Sequence, residues 1–179
     1  MKEFEEKAYP IFDLFQNQWG LVTSGNIDRY NCCTVSWGSM GTIWERPGHC
    51  CSTVTVYIHP ARYTCGFMKE SEYFTLSFFP ENYRKALAYL GSHSGRDGDK
   101  VAAAGLSPRS IGEGVCYEEA ELTFLCRKLY QQEFSKGSLS EDVREYYATR
   151  PKAFPPNENG IWHAHCLFMG EIVDVIDRR

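Results

Sequence analysis

Three separated segments of the chain carry residue types that could together hold a planar, anionic ligand. Residues 31–41 place hydroxyl side chains on an expected strand that ends in glycines. Such a strand edge can offer backbone N–H groups to a heterocycle or a phosphate. Residues 59–64 follow another expected strand and include Arg62, whose guanidinium suits bidentate phosphate contacts. Residues 92–100 combine hydroxyls, glycines and cations in an expected loop that is similar to an anion-binding loop.

Each of these segments also has an ordinary structural explanation. Thr34 and Ser36 could form only the solvent face of a strand, and Arg62 could be a solvated surface charge. The 92–100 loop lacks the phosphate-loop pattern G-x-x-x-x-G-K-[S/T]. No G-x-G-x-x-G pattern follows a strand, so a Rossmann dinucleotide site is not expected. The anion-site hypothesis therefore depends on the three segments acting together.

Alternating and apolar runs predict a fold that is mainly β with peripheral helices. Strands are expected at 19–25, 31–37, 52–58, 73–78, 120–126 and 162–175. Helices are expected from Pro80 to Gly91, over 100–104, and after a Ser140 cap. The 52–58 strand is expected to be half-buried, and Gly170 is expected to form a bulge. Without a β-α-β rhythm, a Greek-key-like barrel fits best, as a single domain over 1–179 with 1–17 as an N-terminal arm.

Charge and composition exclude several classes of partner. The chain has 179 residues and a net charge of −4 without a basic stretch, so nucleic acid is not an expected partner. The charged N-terminus is not followed by an apolar core, and no apolar run approaches the roughly 20 residues that span a membrane. We therefore expect a cytoplasmic protein without a membrane partner.

The eight cysteines form no C-x-x-C pair, which removes the main support for zinc-ribbon and thioredoxin-like sites. Vicinal residues on a strand point to opposite faces, so Cys32 and Cys33 are not expected to bridge each other. Most of the cysteines are expected to be free thiols in the core. A redox role for Cys33 stays open as a hypothesis.

Four motifs, in this order, resemble the flavin reductase-like and flavoredoxin-like family. They are Asn-x-x-Thr-x-Ser-Trp at 31–37, Arg-Tyr-Thr at 62–64, Ser-Gly-Arg-Asp-x-Asp-Lys at 94–100 and His-Cys-Leu-Phe-Met-Gly-Glu at 165–171. The resemblance covers about residues 18–176. It implies an FMN-binding split β-barrel, usually a homodimer with the flavin near the subunit interface. The family includes NAD(P)H-dependent flavin reductases, ferric reductases and carriers that keep FMN bound.

The resemblance also implies roles for individual residues. Those implied along the isoalloxazine ring and ribityl chain are Asn31, Cys33, Thr34, Val35, Ser36 and Trp37. Those implied near the phosphate are Arg62, Tyr63, Thr64, Ser94, Gly95 and Lys100. His165 is implied near the ring as a catalytic residue that contacts nicotinamide. The implied cofactor is FMN, with FAD as the alternative, and NAD(P)H is the implied substrate.

Three functions remain open from the sequence. The first is an NAD(P)H-dependent flavin reductase, and the second is a flavoredoxin-like carrier that exchanges electrons with a protein partner. The third is a Cys/His metal or thiol protein, in which His163 and His165 share a strand face and act with His49 or Cys50. Metal-like spacing is otherwise missing, so no metal is expected. An aromatic lid over the flavin is expected from Trp37, Trp44 or Trp162, unless these rings belong to the core or an interface.

Overall fold

The structure is a computed structural model that describes residues 2–179, and its strands form two antiparallel sheets. The strands are β1 (Gly20–Asn26), β2 (Arg29–Val35), β3 (Gly38–Arg46), β4 (His49–Ile58), β5 (Tyr73–Phe78), β6 (Pro108–Ile111), β7 (Gly114–Tyr117), β8 (Leu122–Glu133) and β9 (Cys166–Asp177). Seven of them form one sheet in the order β2-β1-β5-β8-β9-β4-β3, and β6 pairs with β7. The order is not sequential along the chain, as the expected Greek-key-like topology requires.

The helices are short and lie around the sheet. They are α1 (Ile11–Asp13), α2 (Tyr63–Glu70), α3 (Arg84–Ser92), α4 (Lys100–Ala103) and α5 (Glu141–Ala148). A π-helical turn, Leu14–Gln18, continues α1, and 3-10 turns occupy Glu3–Glu6, Glu81–Tyr83 and Lys136–Ser138. Helices α2 and α3 pack against β2, at one end of the large sheet. Among residues 2–179, no helix has both the length and the apolar character that a membrane span requires.

The large sheet curls around one main apolar core. Strand β2, at one end of the sheet, approaches β4 near the other end, although the two are not hydrogen-bonded neighbours. Buried side chains from six strands, including Val22, Val54, Phe74, Phe124 and Phe168, fill the interior of the curled sheet. The prediction of a mainly β barrel with peripheral helices is therefore confirmed.

Three predicted element ends are wrong: β8 continues to Glu133 instead of ending at Cys126, and the packing explains the other two. The last strand begins at Cys166 instead of Trp162, because the preceding residues leave the sheet to pack beside α5. Pro80 precedes a 3-10 turn, and the α-helix that follows ends at Ser92, so Gly91 lies inside it. Lys100 supplies the hydrogen bonds that a terminal glycine motif would otherwise provide, since its ammonium group donates to two carbonyls at the end of α3.

Other local predictions need correction. The 52–58 strand is more than half-buried, because Thr53 and Thr55 are each only 5% exposed on the face opposite Val54. Gly170 is not itself a bulge, since it pairs with Lys128, and the register shifts of the β8–β9 pair leave Leu129 of β8 and Val173 of β9 without a partner. A side chain at Gly170 would meet the Phe74 ring at 2.6 Å, so this position requires glycine because of a close approach. Strand β3 and the β6–β7 hairpin were not predicted.

Candidate functional site

The end of β2 and the residue before β9 line one cavity of about 170 Å³. Its lining consists of Cys33, Thr34, Val35, Ser36, Trp37, Tyr57, Ile58, His59, Arg62, Ala153, Phe154 and His165. The fold brings these segments together because β9 pairs with β4 at Cys166 and Ile58, while β2 approaches β4 from the opposite end of the sheet. Seven residues that the sequence singled out, namely 33–37, 62 and 165, thus share one cavity.

A second cavity of about 370 Å³ lies further along β2, beside the 92–100 loop. Asn31, Gly95 and Lys100 line it. The side-chain amide of Asn31 donates to Thr64 Oγ1 at 3.2 Å, which ties β2 to the first turn of α2. A Cβ atom on Gly95 would lie 2.4 Å from Asn31 Oδ1, so the loop packs directly on this amide. Asn31 therefore contacts both the start of α2 and the 92–100 loop.

Two of the predicted residues hold α3 in place. Thr34 donates its hydroxyl proton to the carbonyl of Leu87 at 2.6 Å. Lys100 is only 6% exposed, and its ammonium donates to Leu90 O at 2.9 Å and to His93 O at 3.0 Å. One N–H of Lys100 remains for another acceptor, because an ammonium group has three donors. Both side chains thus have a structural role that their residue types alone did not indicate.

Arg62 and the first turn of α2 present positive charge and free donors. Arg62 is the exposed N-cap of this eight-residue helix, and it uses one guanidinium N–H to bind Gly91 O at 3.1 Å. Within residues 2–179 it forms no salt bridge. The amides of Tyr63 and Thr64 stand at helix positions that lack partners inside the helix. Helix dipole, amides and guanidinium all favour an anion here.

The Ser94–Arg96 part of the loop lies close to the same helix. Ser94 Oγ accepts a hydrogen bond from the Arg96 amide at 3.2 Å, which shapes the turn. The Arg96 guanidinium carbon lies 4.3 Å from the centre of the Tyr63 ring, a cation–π contact. A second arginine is thus held against α2, and it strengthens the positive character of this region.

His165 is buried in a group of aromatic rings at the other side of the cavity. Its ring centre lies 4.8 Å from that of Trp37 and 5.4 Å from that of Phe154. Its Nδ1 atom lies 2.7 Å from the hydroxyl of Tyr147 on α5. Burial, followed by the nearby His59 and Arg62, lowers the pKa of His165 to about 3. The imidazole is therefore neutral at physiological pH and can exchange hydrogen bonds without carrying charge.

His59 lies beside His165 and also lines the cavity. Its Nδ1 atom accepts from the Ala61 amide at 3.2 Å, so its Nε2 carries the proton and donates to the carbonyl of His163 at 3.2 Å. Burial lowers the pKa of His59 as well. Two neutral imidazoles, with ring centres 5.4 Å apart, thus stand together at the site.

The buried neutral state of His165 predicts acid sensitivity. Its pKa in the folded chain is below the ordinary value of about 6.5, so the unfolded chain binds the proton more readily and stability falls as pH drops from about 6.5 towards 3. Between pH 7.5 and 5, wild type should lose about 2 kcal/mol more of its free energy of unfolding than His165→Gln, since the slope approaches 1.4 kcal/mol per pH unit. Urea denaturation at both pH values measures this, and parallel losses in the two proteins would contradict it.

Of the three tryptophans predicted as an aromatic lid, one, Trp37, lies at the cavity. Trp37 covers His165 and is 41% exposed, whereas Trp162 stacks on Tyr147 and Trp44 lies in the exposed β3 edge strand. The two histidines considered for a metal site have different hydrogen-bond partners. Nδ1 of His163 lies 2.8 Å from Glu133 Oε1, whereas Nδ1 of His165 lies 2.7 Å from the hydroxyl of Tyr147. In the described part of the chain, no group of three or more His, Cys, Asp and Glu side chains is arranged to hold a metal ion.

The cysteines are free thiols, and all except Cys50 are buried, as predicted. Cys33 lines the cavity, and burial raises the pKa of its thiol. A protonated thiol is a poor nucleophile. The position of Cys33 therefore fits packing better than the redox role that the sequence left open.

Three residues of the site were not singled out from the sequence. They are His59, Phe154 and Tyr147, which reach His165 from β4, from the loop after α5 and from α5 itself. Tyr147 lies in the helix that the sequence predicted after Ser140. Larger cavities, of about 650, 570 and 550 Å³, lie elsewhere, and none of the residues predicted for the flavin site lines them.

Comparison with known proteins identifies the family of the chain. The model of the flavin reductase like domain matches residues 12–179, and the chain belongs to this family. No curated protein matches the sequence significantly.

Solved structures share the fold at low sequence identity. An FMN-binding protein from Thermus thermophilus with bound 1-cyclohex-2-enone is 22% identical, with a TM-score of 0.64 over 99% of this chain and 81% of that one. Flavoredoxin of Desulfovibrio vulgaris (Miyazaki F) is 23% identical, with a TM-score of 0.61 over 98% and 75%. The NADH:FAD oxidoreductase SgcE6 of Streptomyces globisporus, in complex with NAD and FAD fragments, is 13% identical, with a TM-score of 0.57 over 88% and 73%.

Proposed function

We propose that the chain binds FMN along β2 and acts as an NAD(P)H-dependent oxidoreductase of the flavin reductase type. The observation that carries this proposal is the convergence of the β2 end, the Arg62 helix cap and His165 on one cavity. When bound, FMN would supply the redox chemistry, since it can accept a hydride and pass electrons on. FAD is the alternative flavin.

The donors around Arg62 fit the phosphate of FMN. A guanidinium with four unused N–H groups and the start of α2 offer charge-assisted hydrogen bonds to a dianion. The Arg96 side chain adds a second positive charge nearby. Lys100 supports this region mainly by fixing the end of α3, with one N–H left for an acceptor.

The β2 end and the aromatic residues fit a flavin ring. Residues 33–37 border the cavity, and because the Thr34 hydroxyl donates to Leu87, the donors that remain there are backbone groups and the Ser36 hydroxyl. Trp37 and Phe154 offer apolar faces to a planar ring. His165 adds a neutral polar group at the same cavity.

The size of the cavity supports a homodimer. At about 170 Å³ it lies below the roughly 300–1,000 Å³ that is usual for small-molecule sites, so further residues are needed to enclose a flavin. Exposed apolar side chains on β3 and β8, among them Ile43, Trp44 and Tyr130, offer a surface for a second copy. Sedimentation of the purified protein tests this, and a monomer that binds FMN fully would contradict it.

Anaerobic mixing with nicotinamide nucleotides tests the reductase. The FMN-loaded protein should lose its long-wavelength flavin absorbance on addition of NADH or NADPH. The alternative is a flavoredoxin-like carrier, which is favoured by the Trp37 and Phe154 rings, 6.3 Å apart at the cavity, because they would cover a flavin bound there. Slow bleaching by both nucleotides, together with rapid reduction by a protein donor, would contradict the reductase function and favour the carrier function. The free cysteines support a reducing, cytoplasmic location.

A further inference from the structure

Tyr147 contacts His165 through two hydrogen bonds. Its hydroxyl oxygen lies 2.7 Å from Nδ1 of the ring and 3.3 Å from the backbone nitrogen of the same residue. Both side chains are buried, with exposures of 5% and 8%. The two contacts come from one oxygen atom, which has one proton to donate.

The phenol donates to the ring, because Nδ1 of His165 is the one acceptor within hydrogen-bond distance of the Tyr147 hydroxyl among residues 2–179. A backbone N–H can only donate, so the Tyr147 oxygen accepts from His165 N. The phenol proton is then free to be donated to Nδ1, and burial raises the pKa of Tyr147, which keeps that proton in place. An imidazole that accepts at Nδ1 and is neutral carries its proton on Nε2.

Neighbouring rings hold both side chains in this orientation. Trp162 stacks on Tyr147 with ring planes 3° apart and centres 5.6 Å apart. Trp37, Phe154 and His59 surround the imidazole at 4.8 to 5.4 Å. Among residues 2–179, no hydrogen bond is made by Nε2 of His165, although the residue lines the cavity. The Nε2 proton thus remains available to a ligand.

We propose that Tyr147 is a positioning residue that locks neutral His165 in the Nε2–H form, so that the cavity presents an uncharged donor to a carbonyl oxygen of the ligand. An uncharged N–H suits a carbonyl acceptor better than a carboxylate or phosphate, which would favour a cation. Carbonyl groups occur both on the flavin ring and on the carboxamide of a nicotinamide. The ligand part of this inference rests on the proposed function, whereas the tautomer does not.

Nitrogen-15 NMR of the histidines tests the tautomer without any ligand. The chain has five histidines, and His165→Gln identifies the signal of His165. Wild type should show only the Nε2–H form, and Tyr147→Phe should show a mixture of both tautomers. The matched control is Tyr146→Phe, whose ring contacts Trp37 and Phe154 in the same cluster. An Nδ1–H form in wild type, or an unchanged signal in Tyr147→Phe, would overturn the proposal.

Binding and kinetics identify the carbonyl. Loss of the Tyr147–His165 hydrogen bond should raise the Kd or KM of the ligand that His165 contacts by about twofold to tenfold. This range corresponds to one hydrogen bond worth about 0.5–1.5 kcal/mol. A higher Kd for FMN in Tyr147→Phe, relative to Tyr146→Phe, assigns the acceptor to the flavin. A higher KM for NADH with an unchanged Kd for FMN assigns it to the carboxamide. If neither constant differs from the control while the tautomer changes, the donor role is refuted even though the lock exists.

Discussion

Replacing Arg62 with alanine should weaken FMN binding by about tenfold to a hundredfold. The substitution removes a guanidinium that belongs to the N-cap residue of α2 and has one internal hydrogen bond, to Gly91 O. Charge-assisted contacts are worth about 1.5–3 kcal/mol, and each 1.4 kcal/mol changes the Kd tenfold. Titration of the apoprotein with FMN, followed by flavin fluorescence, measures the change.

Riboflavin and a second arginine make this experiment specific for the phosphate. Riboflavin lacks the phosphate, so Arg62→Ala should leave its Kd nearly unchanged. The control variant is Arg144→Ala, which removes an exposed arginine of α5 that lines neither cavity of the site. Equal losses for FMN and riboflavin, or no loss for either, would show that Arg62 does not contact the phosphate.

Replacing Lys100 with methionine should lower the free energy of unfolding by about 2–3 kcal/mol. The methionine keeps most of the side-chain volume but leaves the carbonyls of Leu90 and His93 without their donor. Unpartnered buried acceptors cost about 1–3 kcal/mol each, and the His93 carbonyl is only partly buried. Urea denaturation at pH 7 measures this loss.

Lys85→Met is the matched control, because Lys85 is an exposed lysine of α3. It should change the free energy of unfolding by less than about 0.5 kcal/mol. The FMN affinity of the folded Lys100→Met protein then separates two roles. A loss smaller than that of Arg62→Ala is expected from a lysine that mainly fixes α3. A larger loss would restore Lys100 as a principal phosphate contact.

Local sequence patterns were sufficient to predict most of the sheet. The alternation at 52–58 and 73–78 and the apolar run at 120–126 correspond to β4, β5 and β8, because side-chain period and β propensity act within a single strand. Strand β3 was missed since it is an edge strand with exposed apolar residues and glycines at 38 and 41. Its pairing with β4 depends on the hairpin, which a single-strand pattern does not reveal.

The site was predictable only where the chemistry lies in contiguous residues. Residues 33–37 and Arg62 could be singled out because each segment carries its own donors. The sequence could not show that Lys100 is buried at the end of α3, since a structural lysine and a phosphate-binding lysine have the same residue type. The role of Tyr147 could not be predicted from the sequence either, because its contact with His165 depends on how α5 packs outside the sheet.

A titration of the wild-type apoprotein with FMN tests the central claim most directly, which is that the cavity at the end of β2 holds a flavin. The absorbance and fluorescence of FMN should change saturably, with one FMN bound per chain. Tryptophan fluorescence should be quenched in wild type, and the quenching should be reduced in Trp37→Leu, since Trp37 borders the cavity. A titration without saturation, or full quenching in Trp37→Leu at the same affinity, would contradict the account.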